Sequence, residues 1–234
     1  MRRVIVTDLT RFGTQEKLCT AVVDVNTGEC FRPMPYLSSA RCAELNMHPG
    51  AILEGDISLI PGATNPHIED AHYANLSYLG PASSDEFKQV LDMTEFPSVS
   101  DGFGMVFMPD QKHIPVGTVV DRSITTIKIS PYSIEIHEDQ FKPGKIKASF
   151  TDGSGFFIRY LSITDRGFFD YASKHQQGGE INRINAYLQS QDELYLRIGV
   201  GRQWKVGERD GYWLQVNGIY TFPDYLEEVR SYGN

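Results

Sequence analysis

Three stretches of this 234-residue chain carry residue types whose spacing can do chemistry. The first is 142–160. It holds Lys142, Lys145, Lys147 and Arg159 against a single acid, Asp152, with Phe150, Phe156, Phe157 and Tyr160 interleaved. Single-stranded nucleic acid is held by this mixture, with cations along the phosphates and aromatic faces against the bases. On a two-residue period Phe156, Ile158 and Tyr160 share one face and Phe157, Arg159 and Leu161 the other, so one set must be core. The second stretch is 193–204. Leu194, Leu196, Ile198 and Val200 claim one strand face, which sends Tyr195 and Arg197 to the opposite one. Gly199 and Gly201 let the backbone bend or approach a ligand, and Arg202 and Trp204 follow. An outward Tyr–Arg pair can stack on a base and clamp a phosphate. The competing reading is an ordinary strand whose arginine pairs with an acid such as Asp165. The third is Arg32-Pro33, where a strand-end arginine either grips phosphate or pairs with a carboxylate of its own half. The candidate ligand-binding residues are thus Tyr195, Arg197, Arg202, Trp204, Arg159 and Arg32, with Arg197 at their centre.

A fourth cluster, His67-Ile68-Glu69-Asp70-Ala71-His72, has the side chains of a divalent-metal site. Regular geometry does not gather them. On a strand His67 and Glu69 oppose Asp70 and His72, and on a helix only neighbours such as Glu69 and His72 meet. A turn after Pro66 is the better reading. The chain lacks HExxH, CxxC, GxxxxGK[ST] and GxSxG, and Gly102-Phe103-Gly104 has no third glycine. No catalytic residue, metal ligand or cofactor is expected.

The net charge is −8 and is uneven. Residues 1–120 carry eight Lys and Arg against fifteen Asp and Glu, and residues 121–234 carry fourteen against fifteen. Phosphate binding draws on counterion release at cations, so a ligand surface belongs in the second half. Cys19, Cys30 and Cys42 lack paired spacing, and unbridged thiols in a reducing cytoplasm are expected. Asp8 interrupts the N-terminal apolar run before a signal peptide can form, and no run approaches a membrane span.

The elements that must position these residues are short β-rich runs separated by Gly, Pro, Asn and Asp. Strands are expected near 4–7, 18–25, 29–33, 52–60 and 105–108, then at 124–130, 133–137, 145–151, 156–163, 193–200 and 212–220. Asn26-Thr27-Gly28 reads as a hairpin turn, and 61–66 and 97–104 as loops. Helices are expected near 84–92, capped by Ser83 or Ser84, near 166–175 after Thr164-Asp165, and near 180–188. Residues 227–234 read as a polar, frayed end. The fold class is all-β with a few short helices, divided at 1–118 and 119–234. Each half has strands, a helical insertion, then more strands, a layout shared by the oligonucleotide-binding (OB) barrel among other small barrels.

Several segments, in order, resemble the dual OB-containing domain family. They are Leu18-Cys19-Thr20-Ala21, Phe31-Arg32-Pro33-Met34-Pro35, Pro66-His67-Ile68-Glu69-Asp70, Leu161-Ser162-Ile163-Thr164-Asp165, 194–202 and 212–220. The resemblance implies two tandem small OB-like β-barrels, and nucleic-acid or nucleotide binding as an expectation for that fold. The function expected is a cytoplasmic, non-catalytic binding module for single-stranded nucleic acid or a nucleotide, with no membrane partner. The alternatives are a metal-dependent hydrolase or nuclease using His67, Glu69, Asp70 and His72, and a protein-interaction adaptor.

Overall fold

Alternating apolar residues shape the first half. The computed structural model describes residues 1–11, 16–139, 141–142, 144–177 and 180–224. Pro143, Gly178-Gly179 and the end expected to fray at 227–234 lie outside them. Strand β1 (Arg2–Arg11) sends Val4, Val6 and Leu9 into one core, with a bulge after Val6 that shifts the parity. Strands β2 (Lys17–Asp24) and β3 (Cys30–Pro33) add Leu18, Val22 and Phe31. Their hairpin is closed by the Asp24 carboxylate, which accepts from Asn26 N at 2.9 Å and Thr27 N at 3.2 Å. Gly28 supplies the left-handed residue that the turn needs, at φ +71°. Strand β4 (Leu37–Ser38) leads into helix α1 (Ser39–Glu44), capped by Ser38 Oγ on Arg41 N. Strands β5 (Ala51–Leu59) and β6 (Asp70–Pro81) complete the unit. Hydrogen bonding runs β1–β2–β3–β6–β5 and back to β1, a closed five-stranded barrel in which only β3 and β6 are parallel.

A connecting segment follows. Helix α2 (Ser84–Met93) starts in the expected place with a reciprocal capping box between Ser83 and Glu86. Strand β7 (Glu95–Phe96), helix α3 (Val99–Phe103) and strand β8 (His113–Pro115) come next. The loop expected at 97–104 therefore contains a helix, whose N-terminus Ser98 caps, and 105–108 is not a strand.

The second half is built on a nine-stranded sheet. Its strands are β9 (Ile124–Ile129), β10 (Ile134–Glu138), β11 (Ile146–Thr151), β12 (Phe157–Ile163), β13 (Glu193–Val200), β14 (Trp204–Val206) and β15 (Arg209–Phe222), joined by β7 and β8. Helices α4 (Arg166–Gln177) and α5 (Ile181–Gln189) lie between β12 and β13. The order is β10–β11–β12–β15–β13–β9, with β12 and β15 parallel. The two end strands of that path are consecutive in the chain, joined by the single turn Pro131–Ser133. The molecule is mostly β, with a closed barrel and a second large sheet, an architecture compatible with OB-like folds. No helix among the described residues is long and apolar enough to cross a membrane.

The two halves share a third core, in which Ile5, Val23 and Ile52 of the barrel meet Phe87, Val90 and Leu91 of α2 and Tyr195, Tyr220 and Phe222 of the sheet. Polar groups are buried in the same seam. Arg197, 1% exposed, donates from Nε and Nη2 to Asp8 Oδ2 at 2.9 and 2.8 Å and from Nη1 to Thr126 Oγ1 at 2.8 Å. Tyr220 donates its hydroxyl to the Thr7 carbonyl at 2.6 Å. Asp165, also buried, caps α4 through Phe168 N and accepts from Ile219 N. Burial, reinforced by the Asp8 charge, pushes its pKa from 3.8 up to about 7.

Two outcomes follow from the seam. Removing one member of a buried ion pair strands the other, so Arg197→Ala is expected to destabilise the protein by about 3–5 kcal/mol in urea denaturation. An unchanged midpoint would contradict the clamp. Asp165 binds its proton more tightly folded than unfolded, so its contribution to stability is greatest below about pH 4 and is lost as pH rises through about 7. The melting temperature of Asp165→Asn should show a flatter dependence on pH across that window than wild type. The variant should also melt lower throughout, because an amide presents N–H where Ile219 N needs an acceptor.

Candidate functional site

The residues that face outward from β10, β11 and β12 line an open groove. Strand pairing sets them in rows. Glu135 lies opposite Ser149, His137 opposite Lys147, Lys147 opposite Ser162 and Thr151 opposite Phe157. The intervening Ile134, Ile136, Ile146, Ala148, Phe150, Ile158, Leu161 and Ile163 fill the core beneath.

The register breaks between Ala148 and Phe150, and this break makes the site. Opposite it, Tyr160 adopts φ +50° and donates its backbone N–H to Ser149 Oγ at 3.0 Å. A non-glycine residue in the left-handed region costs on the order of 1–3 kcal/mol. The result is that Arg159 and Tyr160, adjacent in sequence, both face solvent. Strict alternation had placed Tyr160 with Phe156 and Ile158 on one face. The bulge instead groups it with Phe157 and Arg159, while Leu161 turns inward.

A groove of about 450 Å³ runs over this surface, lined in part by Tyr132, Glu135, His137, Phe157, Arg159 and Tyr160. Tyr132 is 76% exposed, Phe157 45% and Tyr160 42%, so three aromatic rings are offered to solvent on one side of the molecule. The Arg159 guanidinium sits 5.3 Å from the centre of the Phe157 ring, and the His137 ring 5.1 Å from that of Tyr160. Lys147 donates to Ser162 Oγ at 2.7 Å and lies 3.7 Å from Asp139. Cations gather around it. Burial lowers the pKa of Lys147, and Lys142 and Lys145 lower it further against the pull of Asp139. Burial also lowers that of Lys112, with Lys147, Arg159 and Arg209 adding to the effect against Asp110. A local positive patch therefore exists on a chain of net charge −8.

The six sequence candidates are not one site. Arg159 is on the groove. Tyr195 and Arg197 do face away from the Leu194–Val200 core, but that second face is covered by the first half. Tyr195 is fully buried and donates to Asp92 Oδ1 at 2.7 Å and Glu193 Oε2 at 3.1 Å. Arg197 pairs with Asp8 rather than Asp165. Neither is a surface residue, and Arg197 is a clamp between halves. Gly199 makes room for the Asn217 amide of the neighbouring strand, not for a ligand. Trp204 is 69% exposed on the β14–β15 hairpin, where its carbonyl accepts from Trp213 Nε1 at 2.8 Å. Arg32 and Arg202 meet on Asp70, at 2.6 and 3.2 Å.

The His67–His72 cluster disperses. Glu69 accepts from Ser123 N at 2.6 Å, Ser123 Oγ at 2.7 Å and Ile124 N at 3.3 Å, joining the halves. Asp70 serves the two arginines, and His72 faces outward. Among the described residues no three His, Cys, Asp or Glu are placed to hold a metal ion. The three cysteines are unbridged.

Comparison with family models, curated proteins and solved structures finds no match for this chain. The architecture thus rests on its own strand order.

Sequence reasoning missed His137, Tyr132, Lys112 and Arg209. The outward parity of Glu135 and His137 was available in the run Ile134-Glu135-Ile136-His137. Lys112 and Arg209 come from separate segments that only folding unites. Because glycine tolerates φ +50°, Tyr160→Gly is expected to leave thermal stability unchanged or slightly raised, whereas Tyr160→Ala keeps the strain and loses the ring. A marked and equal loss of melting temperature in Tyr160→Gly and Tyr160→Ala would show that the ring, not the backbone, matters for stability.

Proposed function

We propose that this protein is a non-catalytic binding module for single-stranded nucleic acid, and that the outer face of β10–β12 is the surface it uses. The observation that carries the reading is the bulge at Arg159-Tyr160, which sets both side chains on the outer face, with the guanidinium 5.3 Å from the exposed Phe157 ring, at a cost in backbone strain. Stacking is worth about 1–3 kcal/mol per base, and nearby lysines can follow the backbone.

Topology supports the same reading. Both halves follow the OB order once β9 and β10 are taken as one first strand broken at Pro131–Ser133. In such barrels the faces of strands two and three and the loop between strands four and five receive oligonucleotides. In the second half those are the β11–β12 face and the β14–β15 hairpin with Trp204, Lys205 and Arg209. In the first half the corresponding face, with Ile5, Val23, Cys30 and Arg32, is turned into the seam. One free face and one covered face point to a single principal ligand surface, on the less acidic half.

A fluorescein-labelled oligo-dT or oligo-U should bind with an affinity that falls as salt rises, with a log–log slope of about −2 to −3 if three or four phosphates are neutralised. Phe157→Ala and Tyr160→Ala should each weaken binding by about 1–3 kcal/mol. Arg159→Ala should weaken it and reduce the slope by about 0.7. Absence of any salt-sensitive binding, or equal binding by all three variants, would overturn the proposal.

A further inference from the structure

A second polar cluster lies in the seam, away from the groove. It collects Arg32 at the end of β3, Tyr36 just after it, His67 before β6, Asp70 at the start of β6, and Arg202 after β13. Arg32 Nε donates to Asp70 Oδ1 at 2.6 Å, and Arg202 donates from Nη1 and Nη2 to Asp70 Oδ2, each at 3.2 Å. Arg202 Nε donates to the Tyr36 hydroxyl at 2.8 Å. One carboxylate thus faces two guanidiniums, with Glu69 the second acid acting on Arg32.

The buried donors are also incompletely used. Arg32, 2% exposed, has no hydrogen-bond partner for Nη2 among the described residues. His67, 6% exposed, has none for either ring nitrogen, although the Gly201 backbone leans toward the ring. Its ring is held edge-on by Tyr212 at 5.5 Å. Burial, then Arg32 and Arg202, push its pKa down to about 3 while Asp70 and the Gly201 backbone oppose them, so the imidazole is neutral and carries one N–H. A buried donor left unpaired is costly, and unpartnered donors beside two guanidiniums favour an anion. Arg202 is 42% exposed and Asp70 15%, so solvent reaches the cluster from the Arg202 side.

We propose that Arg32, Arg202 and His67 form a phosphate-binding site at the seam between the halves. A tetrahedral oxyanion suits donors that converge from three separate segments, whereas the planar carboxylate of Asp70 already occupies one direction. The burial of Arg32 and His67 suits a free or terminal phosphate rather than the interior of a phosphodiester chain. This site does not depend on the groove reading.

The test is a titration of the full chain with inorganic phosphate against chloride at matched ionic strength. It reads melting temperature and the His67 imidazole resonances, assigned with His67→Gln. Phosphate should raise the melting temperature above the chloride control and move the His67 signals. Arg202→Gln should weaken phosphate binding about tenfold or more, Arg202→Lys less, and Arg159→Ala not at all. Melting of each variant without phosphate shows whether it folds. A second arm compares a nucleoside 5′-monophosphate with inorganic phosphate. Tighter binding of the former, still lost in Arg202→Gln, identifies the source as a nucleotide, and equal binding identifies free phosphate. The proposal fails if phosphate and chloride act alike, if the His67 signals stay still, or if the effect survives Arg202→Gln in folded protein.

Discussion

A guanidinium removed from water needs partners on every side, and Arg197 finds them only where the two halves meet. Asp8 belongs to β1, Thr126 to β9, and both lie within hydrogen-bond range of one side chain. The pair satisfies its charge only in one relative placement of barrel and sheet. Neighbouring contacts depend on that placement: the Tyr220 hydroxyl on the Thr7 carbonyl, the Glu69 carboxylate across Ser123 and Ile124, and the apolar packing of α2 between the halves. Exposure of the β10–β12 face is the other side of the same arrangement, since the seam uses the outward residues of β13 and β15 and leaves that face uncovered.

The charge distribution agrees with this division. A chain of net charge −8 repels polyanions at long range, but that repulsion is screened within about 10 Å at ordinary salt. What acts at contact is the local set, and around Lys112 it brings Lys147, Arg159 and Arg209 together, with Asp110 the opposing charge. The acidic excess lies in the first half, where much of it is internally used, as at Asp8, Asp24 and Glu69.

Much of the architecture was legible in the sequence because period-two alternation survives in the buried strands. Leu194, Leu196, Ile198 and Val200 announced their face, and Ser83 with Glu86 announced α2. Strand β6 was not legible. Only Ala71 and Leu76 of its twelve residues are buried, so no apolar rhythm marks it, and pairing with β5 and β3 decides its conformation. The parity of Arg197 could be read but not what would cover it, since Asp8 lies 189 residues away. Tyr160 failed for a different reason. One residue with a positive φ inverts the faces of everything after it, and nothing in Phe157-Ile158-Arg159-Tyr160-Leu161 signals that the break falls there. Arg159 was identified by residue type, and the face it shares with Tyr160 was set by the bulge.

The short strand β7 carries a last consequence. It pairs in parallel with β9 through Glu95–Thr126 and Phe96–Ile127, on the side of β9 opposite β13. Only two residues long, it nevertheless covers part of an edge whose free amides and carbonyls would otherwise recruit a strand from another molecule. It comes from the connecting segment, before residue 119. A fragment beginning at 119 would therefore lose its own edge protection along with β8, and its characteristic fault would be self-association through β9 rather than simple unfolding.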